Sequence, residues 1–140
     1  MRTAWVSGFV KAALAAIGVE LADGKLEWGM GPGGDIFLVD AIGPDELRIL
    51  RDGVQLSKEF LRGFYRKTPW YAEVNRAKER APLEGITEWK KLVRVPPPEL
   101  PARMRELGSQ VYLSLANELA GRKWFPGAMS VSEVVAGIRG

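Results

Sequence analysis

Three charged side chains, Asp23, Lys25 and Glu27, stand two residues apart in the stretch LADGKLEWGMGPGGDIFLVD, and Asp40 closes it. On an extended strand that spacing puts all three on one face, with Gly24, Leu26 and Trp28 on the other. Glu27 and Asp40 stand on either side of a glycine-rich turn. From there two carboxylates can converge on one hard cation such as magnesium, while Lys25 meets a phosphate or carboxylate. The same row also reads as a solvated hairpin face with cross-strand ion pairs, the commoner use of such spacing.

Further along, GPDELR offers Asp45 and Arg48, which either pair with each other or present the arginine to a substrate phosphate. Lys58 and Arg62, four apart on a helix, make a small basic patch. Such a pair ordinarily faces solvent and gains interest only if Arg48 joins it. The GPGG turn lacks the Gly-Lys-Ser/Thr ending of a phosphate loop and opens into a strand, so it reads as hairpin chemistry. Trp70, Tyr71, Trp89 and Trp124 read as core or interface aromatics.

Composition narrows the chemistry. The 140 residues contain no cysteine and no histidine. Disulfides, thiol nucleophiles, thiolate metal sites and Ser-His-Asp triads are excluded, which leaves carboxylates, Lys, Arg and hard cations. A formal charge of +3 and a pI near 9.3 are too small and dispersed an excess for a nucleic-acid stripe. No apolar run is long enough to span a bilayer or laid out as a signal peptide, so the expected compartment is the cytoplasm.

The elements that must position these groups follow from periodicity. Trp5, Val6, Phe9, Val10, Ala13, Leu14 and Ile17 predict an amphipathic helix over 3–17, closed by Gly18. Its stripe has to pack on a later element or on another chain. Residues 19–28 and 35–40 read as the two strands of a hairpin, and 41–53 as a loop turning at Gly43-Pro44-Asp45. Ser57 caps a short helix over 57–68 with Phe60, Leu61 and Phe64 on its apolar side. A helix after Pro69, a stiff proline-rich connector at 95–101 and a long helix over 101–120 follow. That last helix carries Met104, Leu107, Val111, Leu115 and Leu119 and stops at Gly121. The expected fold class is α+β: a hairpin in an antiparallel sheet with helices packed behind it. One domain is expected over 1–124, with 125–140 as a tail or short final helix.

The order of these pieces resembles the C-terminal half of the phosphoribosylaminoimidazole-succinocarboxamide synthase (SAICAR synthase) family. GVELADGKLEWGM is similar to the family's G-[IL]-x-L-x-D-x-K-[FL]-E-F-G strand, and IFLVDAIGPDELR to its [IV]-x-L-x-D-E-x-[ST]-P-D-[GS]-S-R segment. LSKEFLRGF resembles its D-K-x-[FR]-[LF]-R stretch. PPPELPARMRELGSQVYLSLANELAGRKW resembles its closing helix. The likeness runs in unbroken order over about 2–124, with no counterpart seen for 125–140.

The resemblance implies an ATP- and magnesium-dependent ligase of purine biosynthesis that joins L-aspartate to the carboxylate of carboxyaminoimidazole ribonucleotide. It carries metal and nucleotide binding onto Glu27 and Asp40, and the catalytic Asp-x-Lys pair onto Asp23 and Lys25. Substrate binding falls on Asp45, Arg48, Lys58 and Arg62. Ala41 stands where the family has an acid. Gly43, Glu46 and Leu47 replace hydroxyls or small residues around the Pro-Asp turn, and Gly24 stands where a larger residue is usual. The family's N-terminal half, with its nucleotide clamp, has no counterpart in the sequence. The resemblance therefore implies a chain inactive alone and completed by a separate N-terminal polypeptide. A non-catalytic nucleotide- or ribonucleotide-binding module of that fold, and a homo-oligomer formed through the Trp5–Ile17 stripe, are the other readings.

Overall fold

The computed structural model describes residues 2–140 as an α+β fold. Helix α1 (Arg2–Ala16) leads through Gly18, at φ +70°, into strand β1 (Glu20–Gly24). Strands β2 (Trp28–Met30) and β3 (Ile36–Leu38) form a separate two-stranded hairpin. The single strand expected over 19–28 is thus broken at Lys25–Glu27, and its two halves enter different sheets.

The segment read as a loop over 41–53 holds strand β4 (Leu47–Arg51), the centre of a sheet ordered β1-β4-β5, with β5 at Val54–Gln55. Two signals for it are present in the sequence. Leu47 and Ile49 alternate with Arg48, and Asp52-Gly53 is a two-residue hairpin turn that needs positive φ at both positions. Asp52 and Gly53 have φ of 52° and 76°.

Helix α2 (Lys58–Arg66) is capped by Ser57, whose hydroxyl accepts from the Glu59 amide, as expected. Helix α3 (Pro69–Leu83) starts with Thr68 as cap and Pro69 in its first turn, where a missing N–H costs nothing. A 3₁₀ turn at Trp89–Leu92 follows. Helix α4 (Ala102–Ala120) ends at Gly121 in the left-handed conformation, again as expected.

The last helix, α5 (Val131–Arg139), opens with a capping box in which Ser130 and Glu133 satisfy each other's backbone amides. It is no appendage. Val131 and Val134 are fully buried and join Leu14, Val19, Ile49, Leu56, Val111 and Leu115 in the core. The α1 stripe divides. Leu14 is buried while Trp5 and Phe9 remain 76 % and 75 % exposed. Leu119, expected on the core stripe of α4, is also largely exposed. Among the described residues no helix is long and apolar enough to cross a membrane.

Candidate functional site

The site is assembled by an irregularity in β1. Its register with β4 pairs Leu21 with Ile49, then skips Ala22 and pairs Asp23 with Arg48 and Gly24 with Leu47. In an unbroken strand Leu21 and Asp23 would share a face. The surplus residue shifts the phase, as a β-bulge does. Leu21 packs against the core beside Ile49, while Asp23 stands outward beside Arg48. The carboxylate receives both Nε and Nη2 of the guanidinium, a bidentate pair.

Around this pair lies a cleft of about 530 Å³. Of the residues singled out in the sequence, Asp23, Lys25, Asp45, Arg48, Lys58 and Arg62 line it. The condition set by the sequence for Lys58 and Arg62, that Arg48 join them, is met. Gly24, Glu46, Leu47, Glu59 and Arg66 complete the lining. Five cations face four carboxylates, so the cleft carries a small positive excess, with all but Asp45 of these charges in ion pairs.

Individual contacts show how the cations are held. Lys25 Nζ donates to Glu27 Oε1 at 2.5 Å and lies 3.3 Å from Glu46 Oε2. Lys58 Nζ lies 3.5 Å from the other Glu46 oxygen. Glu46 therefore bridges two lysines from the position where the resemblance places a small residue. Glu59 bridges Arg62 at 2.5 Å and Arg66 at 2.7 Å. Its spacing to Arg62 and Arg66, three and seven residues on α2, was a readable helical signal. Tyr112 of α4 donates to Asp45 Oδ1 at 2.6 Å and pins the 43–46 turn to the helix.

These contacts set the protonation states. Arg48 holds the Asp23 carboxyl below its ordinary range, chiefly through the hydrogen bonds it donates. Lys25 is pushed up by its bond to Glu27 and then by Glu46. Glu59 is held down, first by Arg62. Burial, then the bond to Asp45, raises Tyr112 to about 12. Asp23 pushes Arg48 up, and Glu59 does the same for Arg66.

Glu27 and Asp40 stand outside this cleft, at the base of the β2–β3 hairpin. The Val39 amide donates to the Glu27 carbonyl at 3.1 Å, so Asp40 sits one residue beyond the position opposite Glu27. Asp40 accepts from the Ala41 amide, and Glu27 accepts from Lys25. Lys25 thus links the hairpin base to the cleft. Among the described residues no group of three or more acidic side chains is gathered to hold a metal ion.

The SAICAR synthetase family model matches residues 3–77, just over half of the chain. The chain belongs to the SAICAR synthetase family. A protein of Archaeoglobus fulgidus named "Putative phosphoribosylaminoimidazole-succinocarboxamide synthase" is 38 % identical over 135 residues, 96 % of this chain and 38 % of that protein. The chain therefore spans well under half the length of this SAICAR synthetase relative. An alignment of that length in 140 residues reaches at least residue 135, so the segment after 124 does have a counterpart. A solved chain described as "SAICAR synthetase (Type-2) in complex with ADP" aligns at 29 % identity and a TM-score of 0.40, covering 68 % of this chain and 36 % of that one.

Proposed function

We propose that this chain is the C-terminal part of an ATP-dependent carbon–nitrogen ligase of purine biosynthesis, joining L-aspartate to carboxyaminoimidazole ribonucleotide together with a separate N-terminal polypeptide. The observation that carries the reading is the cleft, where Arg48, Lys58 and Arg62 meet Asp23, Lys25 and Asp45 in a chain of the SAICAR synthetase family.

The reaction needs dianion binding and charge control. Transfer of the γ-phosphoryl group of ATP to the substrate carboxylate gives an acyl phosphate and ADP. The amine of aspartate then forms the amide bond as phosphate leaves and the nitrogen loses a proton. Arg48, Lys58 and Arg62 suit the ribonucleotide phosphate, because charge-assisted donors hold phosphate oxygens strongly. Lys25 suits the carboxylate that becomes the acyl phosphate. Asp23, kept ionised by Arg48, suits an ammonium group better than it suits proton abstraction. Asp45, held by Tyr112, lies on the substrate side.

Glu27 and Asp40 fit magnesium in donor type, and magnesium characteristically takes one or two carboxylates with the rest of its shell from water and phosphate. In that role the ion would neutralise the phosphate chain of ATP. Cytoplasmic placement follows from the same biosynthetic reading.

The test is product formation from the chain co-folded with a separately produced N-terminal part of a SAICAR synthetase. Expected is an amide product that requires ATP, aspartate and magnesium. A pure, associated pair that makes none overturns the reading. A second reading, a binding module without turnover, is favoured by Glu46, which already neutralises Lys25 and Lys58. It predicts ribonucleotide binding by calorimetry with no product from the same pair.

A further inference from the structure

The core is open on one side. A groove of about 420 Å³ runs between α1, the turn at 42–44 and α4, and none of its lining residues is charged. Its floor is made of core residues, among them Leu14, Ile49 and Leu115, and its rim of Phe9, Ile42 and Leu119, which are 75 %, 43 % and 47 % exposed. One helical turn before Phe9, Trp5 extends the same apolar ridge at 76 % exposure. Scattered apolar residues on a surface are ordinary, but a groove floored by the core marks an interaction face.

We propose that this groove seats the part of a SAICAR synthetase that the chain does not span, and that seating it sets the charged cleft. The inference rests on the reading of the chain as one part of a larger enzyme. The chain corresponds to 38 % of its Archaeoglobus relative, so the larger part of such an enzyme must lie against it somewhere. A buried interface core is depleted of charge, and this groove is both uncharged and open to the protein interior.

The link to the site is the segment 42–48. Ile42, Gly43 and Pro44 line the apolar groove, while Asp45, Glu46 and Arg48 line the cleft. Leu47 lines both. One seven-residue wall separates the two, so an occupant pressing on one side fixes the positions of Asp45 and Arg48 on the other.

The test uses the chain, the remainder of the Archaeoglobus protein, and inorganic pyrophosphate as a probe of the cleft. Trp5→Glu with Phe9→Glu changes two exposed side chains and is expected to weaken association with the remainder by at least about tenfold, as loss of an aromatic anchor does. Pyrophosphate binding by the isolated chain stays unchanged in that variant. Arg48→Gln with Arg62→Gln is expected to do the reverse. Adding the remainder should change the pyrophosphate affinity of the wild-type chain.

Equal association by both double variants overturns the proposal. So does a wild-type homodimer that Trp5→Glu with Phe9→Glu dissolves, because the occupant is then a second copy. Should the separate remainder not fold, a single-chain fusion replaces it, and Trp5 as open to acrylamide quenching there as in the isolated chain also overturns the proposal. Unchanged pyrophosphate affinity in the complex overturns the coupling. Intact association without amide product strikes the ligase reading alone.

Discussion

Gly24 and Leu47 face each other across β1 and β4, and a Cβ on Gly24 would lie 2.5 Å from Leu47 Cδ2. The two departures from the family pattern therefore explain one another. A leucine at 47 fills the core, where it is 7 % exposed, and leaves room for nothing larger than glycine at 24.

Gly24→Ala is expected to destabilise the fold by about 1–3 kcal/mol, because Leu47 is confined by the core and cannot move aside freely. Leu47→Ala alone should cost about 2–5 kcal/mol through the cavity it leaves. The double variant should cost clearly less than the sum, since the methyl at 24 enters the vacated space. Urea unfolding of the four proteins checks this, and strict additivity would contradict it.

The Asp23–Arg48 pair should show in the acid limb of stability. The folded-state pKa of Asp23 lies below its ordinary 3.8, so the pair's contribution is present above that value and lost as pH falls through the lowered one. Wild type should exceed Asp23→Asn in stability at neutral pH, and the difference should vanish as pH drops well below 3.8. Thermal melts at stepped pH measure it.

The sequence carried the helices and most of the charged residues that line the cleft, but not the sheet. Capping by Ser57, the stop at Gly121 and the heavy charge of the cleft are local signals, and each was readable. The register was legible only in part: the odd positions change from apolar at Val19 and Leu21 to charged at Asp23, which marks the bulge at Ala22, but nothing local names β4 as the partner strand. The break at Lys25–Glu27 was hidden for a related reason: strand propensity ran through it, and tertiary pairing with β4 ended the first half. The place of α5 depended on contacts with residues far away in the chain.

Glu59 acts as an internal competitor for the cleft's arginines. Glu59→Gln should free Arg62 and Arg66 and raise affinity for pyrophosphate, whereas Arg62→Gln should lower it by about ten- to a hundredfold, the worth of a hydrogen bond to a charged group. Calorimetry at two salt concentrations reads both, with the steeper salt dependence in Glu59→Gln. A fall in affinity on Glu59→Gln would contradict this.

Tyr112 holds Asp45 from outside the matched family segment. Its raised pKa means that the phenol's contribution is present below the ordinary value of 10 and lost as pH rises from there through about 12. Ultraviolet titration should show one phenol ionising near 12, and Tyr112→Phe should abolish that step. At neutral pH the variant should lose about 0.5–1.5 kcal/mol of stability, the range of a typical hydrogen bond.

The unpaired Ala22 makes strand register, rather than residue identity alone, decide which faces Leu21 and Asp23 take. Were Ala22 to enter the ladder opposite Arg48, the aspartate would turn towards the valines and leucines of the interior and the glycine towards water; deleting Ala22 instead leaves Leu21, the aspartate and the glycine opposite Ile49, Arg48 and Leu47 on their present faces. Deletion of Ala22 is therefore expected to keep both fold and pyrophosphate binding, read by urea unfolding and calorimetry, and loss of the two together would contradict this account of the bulge.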